Sequence, residues 1–422
     1  MDVKEFGSLS MKRLIQLCLC VCCGLQVFGA PPPTLKLVSV LYRHGDRSPA
    51  YIYPKDIHQV PGSWPDGLGW LSNIGKQQQY ELGQFIAERY SGFLNTSYYH
   101  RDQILIQSSG VERCLMSAQS NLAGLFPPQG PQVWNSNFTW QPIPVQSTPT
   151  QNDNKLAIQA PCPRYDQLMA EVLHSPAIQK EEKENKAFYD MVINATGVKK
   201  ESIRDIWMIA DPLICERAHN YSWNEWAYQE GVWEKMDSLR TLSFDLLYRR
   251  TEMAKLKGGP LLKEIIYNMK NASGESSPSP RFYMYSAHDT TVAAFLSAMQ
   301  VFDLHQPMYR ALVMVELHHI NDQHVVKIFY RNETTADPYE LSPPGCKNPC
   351  TLDSFIEATK ATVPEDWEKE CQALNSSASH KLSPASWIAL VIGICFCSIL
   401  CVVLVVMVLR LRTKRNATYS RL

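Results

Sequence analysis

Five consecutive residues near the amino terminus, Arg43-His44-Gly45-Asp46-Arg47, bring together the side-chain types needed for chemistry on a phosphate. They follow an apolar run, residues 37–41, that predicts a short buried strand. Planar guanidinium forks bind phosphate oxygens, and a neutral imidazole held between them can attack phosphorus. Gly45 is expected to leave room for a closely approaching ligand. For this motif alone, a loop of solvated charges is the alternative interpretation.

Two later segments repeat the arrangement of a strand, a polar residue and a helix. Residues 282–286 predict an aromatic strand, and His288 and Asp289 come directly before the apolar helix TTVAAFLSAM. Residues 103–107 predict another strand, and Arg113 lies in the first turn of the helix after it. In α/β sheets, ligands bind at the carboxyl ends of strands, and helix amino termini attract anions. The three junctions together favour an anion-binding site over a solvated loop.

The motifs RHGDRSP, at residues 43–49, and YSAHDTT, at residues 285–291, resemble those of the histidine acid phosphatases, in particular the lysosomal and prostatic members of that family. Further segments agree with this, among them WPDGLG, YELGQFI, LMSAQSNLAGLFPP, WQPIPV and PGCKNPC. The resemblance extends over about residues 35–371.

The resemblance implies an α/β histidine phosphatase fold, with a mixed central sheet flanked by helices. The charged, helical pattern of about residues 165–270, between the sheet motifs, predicts a smaller, mainly helical lobe. The resemblance implies hydrolysis of phosphate monoesters without a cofactor or a metal. It also implies roles for six side chains. His44 forms a phosphohistidine, Asp289 donates a proton to the leaving alcohol, and the phosphate is held by Arg43, Arg47, Arg113 and His288.

Acid pH suits these implied roles. The nearby cations should lower the pKa of His44 and keep its imidazole neutral and nucleophilic. Asp289 has to be protonated in order to donate, and acid pH favours that form.

Three positions depart from the family pattern. Gln107 and Gly110 stand where relatives have an arginine and an aspartate beside the phosphate-binding arginine, and Gln146 stands where relatives usually have histidine. These changes motivate one rival hypothesis, a non-catalytic or weakly active membrane glycoprotein that keeps the phosphatase fold. A phosphoglycerate mutase-like phosphotransferase is a second rival, against which the His288–Asp289 pair and the secretory route argue.

The periodicity predicts further elements. A helix through residues 233–256 is expected to end at Gly258–Gly259, with Pro260 starting the next helix. Residues 311–319 and 324–331 predict a hairpin around Asn321–Asp322.

Both ends of the chain carry targeting patterns. Residues 1–30 have basic residues, a short apolar core and small residues at the end, which is typical of a signal peptide. Residues 387–409 contain no charge and are long enough for a transmembrane helix. The basic residues that follow place the tail, residues 410–422, in the cytosol. They also disfavour a glycolipid anchor. Residues 31–380 are then the lumenal domain of a single-pass type I protein.

Six of the 13 cysteines lie in the lumenal region, and fifteen full pairings of them are open. The family resemblance implies disulfides between Cys162 and Cys371 and between Cys346 and Cys350. Cys215 matches a third family disulfide, but its partner position is Leu312. Cys215 is therefore expected to be free unless it pairs with Cys114.

Composition and tail motifs suggest the surroundings of the protein. The 41 basic and 41 acidic residues cancel, which gives no hint of a nucleic-acid partner. Tyr419 and Leu422 fit the pattern that clathrin adaptors read, which predicts cycling between the cell surface and the endosome or lysosome. A homodimer is also compatible with the family.

Glycosylation sequons predict a glycosylated lumenal surface at Asn95, Asn137, Asn194, Asn220, Asn271, Asn332 and Asn375.

Overall fold

The computed structural model describes residues 34–199, 203–274, 280–332 and 337–374, together with Met407. The chain divides into two units, Met1–Gln372 and Ala373–Leu422, and the sheet lies in the first. Apart from Met407, the predicted signal peptide, membrane span and tail lie outside the described residues, as do Asn375, Tyr419 and Leu422. No helix in the described ranges is both long and apolar enough to cross a membrane.

The core is a seven-stranded mixed sheet with the strand order β3-β2-β4-β1-β5-β6-β7. Strands β3, β2, β4 and β1 run parallel to one another. Strand β5 pairs antiparallel with β1, and β5 to β7 form an antiparallel meander. The strands are β1 (Leu35–Arg43), β2 (Ile104–Ser109), β3 (Gln146–Thr148), β4 (Phe282–Ala287), β5 (Leu312–Ile320), β6 (Gln323–Arg331) and β7 (Tyr339–Leu341).

The predicted hairpin is confirmed as β5 and β6. Asn321 and Asp322 connect them with φ values of 50° and 58°, a left-handed conformation that these two residue types tolerate better than most.

Helices cover both faces of the sheet and form the lobe. They are α1 (Asn73–Arg89), α2 (Glu112–Leu125), α3 (Pro163–Leu173), α4 (Pro176–Glu184), α5 (Lys186–Thr196), α6 (Trp207–Ala218), α7 (Val232–Asp245), α8 (Thr251–Ala272), α9 (Asp289–Ala298), α10 (Leu352–Thr359) and α11 (Trp367–Glu370). Short 3-10 turns occur at Ile57–Gln59, Gly130–Gln132, Thr150–Asn152, Ile203–Ile206, Glu225–Tyr228 and Lys360–Thr362.

Strand β1 is buried on both faces, as its continuous apolar character requires. Leu37 and Leu41 pack with α8, α9 and α10 on one face of the sheet. Val38, Val40 and Tyr42 pack with α1 and α2 on the other. The alternation of side chains along one strand therefore joins two separate apolar cores.

The lobe has a third apolar core, built mainly by α3 to α7. Helix α8 belongs to two cores, because Met253 and Leu256 pack in the lobe whereas its later residues pack against the sheet.

The predicted helix break at Gly258–Gly259 is wrong. Helix α7 ends at Asp245, and α8 continues through both glycines and Pro260. A Cβ atom at Gly258 would lie 2.0 Å from the carbonyl oxygen of Ala294 in α9. The glycine therefore permits close packing of two helices and does not end one.

Both implied disulfides are present in the structure. Cys162 bonds to Cys371, which ties the start of α3 to the end of α11, and Cys346 bonds to Cys350. Of the cysteines in the described ranges, Cys114 and Cys215 are free and buried.

Six of the seven sequon asparagines fall in the described part of the chain. Asn332 is half-buried, and its Oδ1 accepts hydrogen bonds from the Met308 N–H and the Tyr330 hydroxyl. The other five are exposed at the surface: Asn95, Asn137, Asn194, Asn220 and Asn271.

A buried carboxyl pair lies between α6 and the loop after β1. Glu216 is fully buried and faces Asp56, which is itself buried and caps a short helical turn. Burial and then the negative charge of Asp56 raise the pKa of Glu216 from 4.5 to about 9. The folded protein therefore keeps a proton on Glu216 at neutral pH.

We predict that this proton makes the fold more stable in acid. Between about pH 4.5 and 9, Glu216 loses its proton on unfolding, so the free energy of unfolding should fall as pH rises, by up to about 1.4 kcal/mol per pH unit. Glu216→Gln, which is neutral in both states, should gain stability over the parent as pH rises from 5 to 8. Melting temperatures across this range test it, with the exposed Glu88→Gln as control. Parallel curves for all three proteins would contradict the assignment.

Candidate active site

The residues of the first motif lie at the carboxyl edge of the sheet and are held there by backbone hydrogen bonds. The His44 N–H donates to the Ala287 carbonyl at 2.9 Å, and the His44 carbonyl accepts from the Arg310 N–H at 3.2 Å. Because Arg43 pairs with Ala287 in the β1–β4 register, His44 and His288 leave adjacent strands side by side. Their ring centroids are 5.7 Å apart.

His44 is buried in a single tautomer. Its Nδ1 lies 2.8 Å from the Gly45 carbonyl oxygen, which can only accept, so Nδ1 carries the proton and Nε2 keeps a free lone pair. Burial and then the charges of Arg113, Arg43 and Arg47 lower its pKa well below 6.5. His44 is therefore a neutral imidazole even in acid.

The expected role of Gly45 is corrected by the structure. A Cβ atom at Gly45 would lie 2.3 Å from the carbonyl oxygen of Gly75, and one at Gly75 would lie 2.1 Å from the carbonyl oxygen of Asp46. The two glycines let the first turn of α1 touch the motif loop. Gly45 thus makes room for a helix and not for a ligand.

Three arginines surround His44, and each is held by protein acceptors. Arg43 donates to the Pro307 carbonyl at 2.6 Å and lies 3.0 Å from Asp289. Arg47 donates both Nη groups to Asp211, at 3.1 and 2.9 Å. Asp211 lies within α6, and no local pattern in the sequence marks it.

In each of these arginines, the Nε–H group is a hydrogen-bond donor that no described residue accepts from. The buried Nε atoms of Arg43, Arg47 and Arg113 have no hydrogen-bond partner within the described part of the chain. Buried donors of this kind are costly unless they are satisfied. Three of them around one imidazole are a feature expected of an anion site.

His288 is neutral and has both ring nitrogens engaged. Its Nδ1 accepts from Arg113 Nη2 at 3.2 Å, so its Nε2–H donates to the Ser109 hydroxyl at 2.9 Å. Burial and the charge of Arg113 lower its pKa to about 3. In this geometry His288 orients Arg113, and its predicted role as a phosphate donor stays a prediction.

Asp289 lies at the start of α9 and is a carboxylate. Its Oδ1 accepts from the Thr290 N–H at 2.7 Å, and its Oδ2 accepts from Arg43 and from Gln306 Nε2 at 3.0 and 2.7 Å. Burial acts to raise the pKa of Asp289, but Arg43, Gln306 and further positive charge outweigh it and lower the pKa to about 2. In this geometry, and without substrate, Asp289 is therefore ionised even in mild acid.

Comparison with known proteins now places the chain in a family. Residues 34–331 match the model of the "Histidine phosphatase superfamily (branch 2)", a range that contains all six predicted site residues. The chain belongs to that superfamily.

Acid phosphatases are among the proteins to which this chain is similar in sequence. The chain is 40% identical over 381 residues to the lysosomal acid phosphatase of Homo sapiens, covering 88% of each protein. It is 39% identical over 380 residues to the prostatic acid phosphatase of Mus musculus, covering 89% of this chain and 97% of the relative. Among solved structures, the phytase of Hafnia alvei superimposes with a TM-score of 0.60 at 18% identity, over 82% of this chain and 100% of the phytase. That likeness shows the fold alone.

Two departures from the family pattern have structural consequences. Gln107 donates to Glu264 Oε1 at 3.2 Å, in a cluster where Tyr285 also bonds to Glu264 at 3.0 Å. A Cβ atom at Gly110 would lie 2.8 Å from the carbonyl oxygen of Thr148, which follows from the pairing of β2 with β3. An aspartate at position 110 would therefore need the backbone to move.

Asp46, to which the sequence assigned no role, has a structural role. It is buried, and its Oδ2 accepts from His219 Nε2 at 2.8 Å and from the Ser72 hydroxyl at 2.5 Å. Asp46 thereby joins the motif loop to α6 and to the cap of α1. In the described ranges, no group of three or more His, Cys, Asp or Glu side chains is arranged to hold a metal ion.

Proposed function

We propose that this protein is an acid phosphatase that hydrolyses phosphate monoesters through a phosphohistidine on His44. The proposal depends on the neutral His44, whose Nε2 has a free lone pair. Three arginines surround it, and their buried Nε donors have no hydrogen-bond partner among the described residues. Arginine forks match the oxygens of a phosphoryl group. The acid phosphatase relatives support the same reaction.

The chemistry proceeds in two displacements. His44 Nε2 attacks phosphorus while Arg43, Arg47 and Arg113 bind the three non-bridging oxygens and stabilise their charge. The bond from phosphorus to the ester oxygen breaks, and the alcohol leaves with a proton. Water then attacks the phosphohistidine and releases inorganic phosphate and the imidazole.

Asp289 passes the proton to the leaving alcohol. In acid a phosphate monoester carries one proton of its own, because its second pKa is about 6. A phosphoryl group that binds Arg43 also draws positive charge away from Asp289 and raises the pKa of that carboxylate. The proton therefore moves from the bound substrate to Asp289 and on to the ester oxygen, and acid pH supplies it with the substrate.

A non-catalytic glycoprotein is the second candidate, because Gln107 and Gly110 depart from the family pattern. Both residues have a defined place in the structure, and neither removes one of the six site residues. An assay of the lumenal domain on 4-nitrophenyl phosphate at acid pH separates the two candidates, since only an enzyme turns over.

We predict that His44→Ala lowers kcat by about 10³-fold or more, because the nucleophile is lost while the phosphate donors stay. The parent, His44→Ala and the exposed His174→Ala should be compared on 4-nitrophenyl phosphate at acid pH, with melting temperatures to show that all three fold. Activity of His44→Ala close to that of His174→Ala would exclude His44 as the nucleophile.

We further propose that the protein is a glycosylated type I membrane protein of the endosome or lysosome that also visits the cell surface. The charge-free residues 387–409 anchor it, and the tail, residues 410–422, is read by a clathrin adaptor through Tyr419 and Leu422. The match to lysosomal acid phosphatases supports the compartment.

Tyr419→Ala is expected to raise the fraction of the protein at the plasma membrane, because adaptors need the aromatic ring of this motif. Surface biotinylation in cells measures the fraction, and Ser420→Ala is the matched control at a position that the pattern leaves free. Equal surface fractions for the parent and both variants would leave the tail without a sorting role.

A further inference from the structure

The loop between α9 and β5, residues 299–311, reaches the active site beside Asp289. Gln306 Nε2 donates to Asp289 Oδ2 at 2.7 Å, and the next residue, Pro307, accepts from Arg43 Nη1 at 2.6 Å. Tyr309 lies under the same arginine, with the Arg43 guanidinium carbon 4.2 Å from its ring centroid. This loop therefore holds both members of the Arg43–Asp289 ion pair.

The amide of Gln306 has one possible orientation. Arg240, on helix α7, has only donors, and it bonds to Gln306 Oε1. The Gln306 NH₂ group must therefore face Asp289. Arg240 is itself held by Asp237, whose Oδ1 accepts from its Nε at 3.0 Å. A chain of hydrogen bonds thus runs from the lobe to the carboxylate.

We infer that Gln306, oriented by Arg240, is a positioning residue that holds Asp289 toward the leaving group during turnover. This inference rests on the proposed function. Asp289 Oδ2 accepts two bonds, one from Arg43 and one from Gln306. When Arg43 also binds a phosphoryl oxygen, its bond to Oδ2 weakens, and Gln306 keeps Oδ2 in place. Without it the carboxyl group rotates and delivers its proton from a poorer geometry.

The same bond contributes to the charge state of Asp289, because a donor to a carboxylate stabilises its ionised form. Removing the Gln306 donor should therefore raise the pKa of Asp289 and move the acidic limb of kcat/KM to higher pH. The other titratable or charged groups that face Asp289 stay unchanged in this test: Arg43, Arg47, Arg113, Cys114, Tyr248 and His288.

The test compares Gln306→Met with Gln300→Met, which makes the same change on the same loop. There the side-chain amide donates to the Ala358 carbonyl, away from Asp289. Both are assayed on glycerol phosphate, whose alkoxide needs a proton, and on 4-nitrophenyl phosphate, whose leaving group does not. Gln306→Met should lose about 10-fold or more in kcat/KM on glycerol phosphate and less than about 3-fold on 4-nitrophenyl phosphate. Gln300→Met should change neither.

A double-mutant cycle tests the part played by Arg240. If Arg240 acts through Gln306, Arg240→Met should cost glycerol phosphate turnover in the parent and add little in the Gln306→Met protein. Additive losses would overturn the pairing. Equal losses on both substrates, a gain on glycerol phosphate, or Gln306→Met behaving like Gln300→Met would overturn the role of Gln306. A parent protein inactive on 4-nitrophenyl phosphate would instead overturn the proposed function.

Discussion

The active site depends on keeping three guanidinium groups close together in a mostly buried place. Charges of one sign repel, and each loses hydration on burial, so the cluster is stable only where acceptors compensate it. Asp289 pairs with Arg43 and Asp211 pairs with Arg47, at 3.0 and 2.9 Å. Arg113 instead rests against a histidine that burial and positive charge keep neutral. Burial and then the remaining positive charge lower the pKa of His44, and the same positive charge attracts an anion.

The fold supplies these acceptors from parts of the chain that are far apart in sequence. Parallel strands β1, β4 and β2 are neighbours, so their carboxyl ends bring His44, His288 and the start of α2 together. Helix α6 of the lobe contributes Asp211 to the first motif loop, and His219, the residue that follows this helix, bonds to the same loop. The loop before β5 contributes Gln306 and Pro307. The lobe is therefore part of the active site and not only a cover over it.

Local patterns were sufficient for the elements that carry the motifs. The strands before His44 and His288 have apolar runs, the hairpin has its Asn-Asp turn, and the resemblance identified the six residues that the structure brings together. Partners were not predictable, because Asp211 and Gln306 have no motif around them. Gly45 and Gly258 were misread for a related reason. A glycine needed for close packing looks the same in sequence as one that frees space or ends a helix. The lowered pKa of Asp289 was not predictable either, because it depends on donors that only the tertiary structure places.

The central claim is that burial and the positive cluster keep His44 neutral and make it the group that takes the phosphoryl from the substrate. Rapid quenching with a ³²P-labelled aryl phosphate, followed by peptide mapping, tests this most directly. The account predicts an acid-labile, base-stable label that forms and decays as fast as turnover requires, on the peptide that contains His44. Turnover without any labelled protein, or a label on another residue, would contradict it.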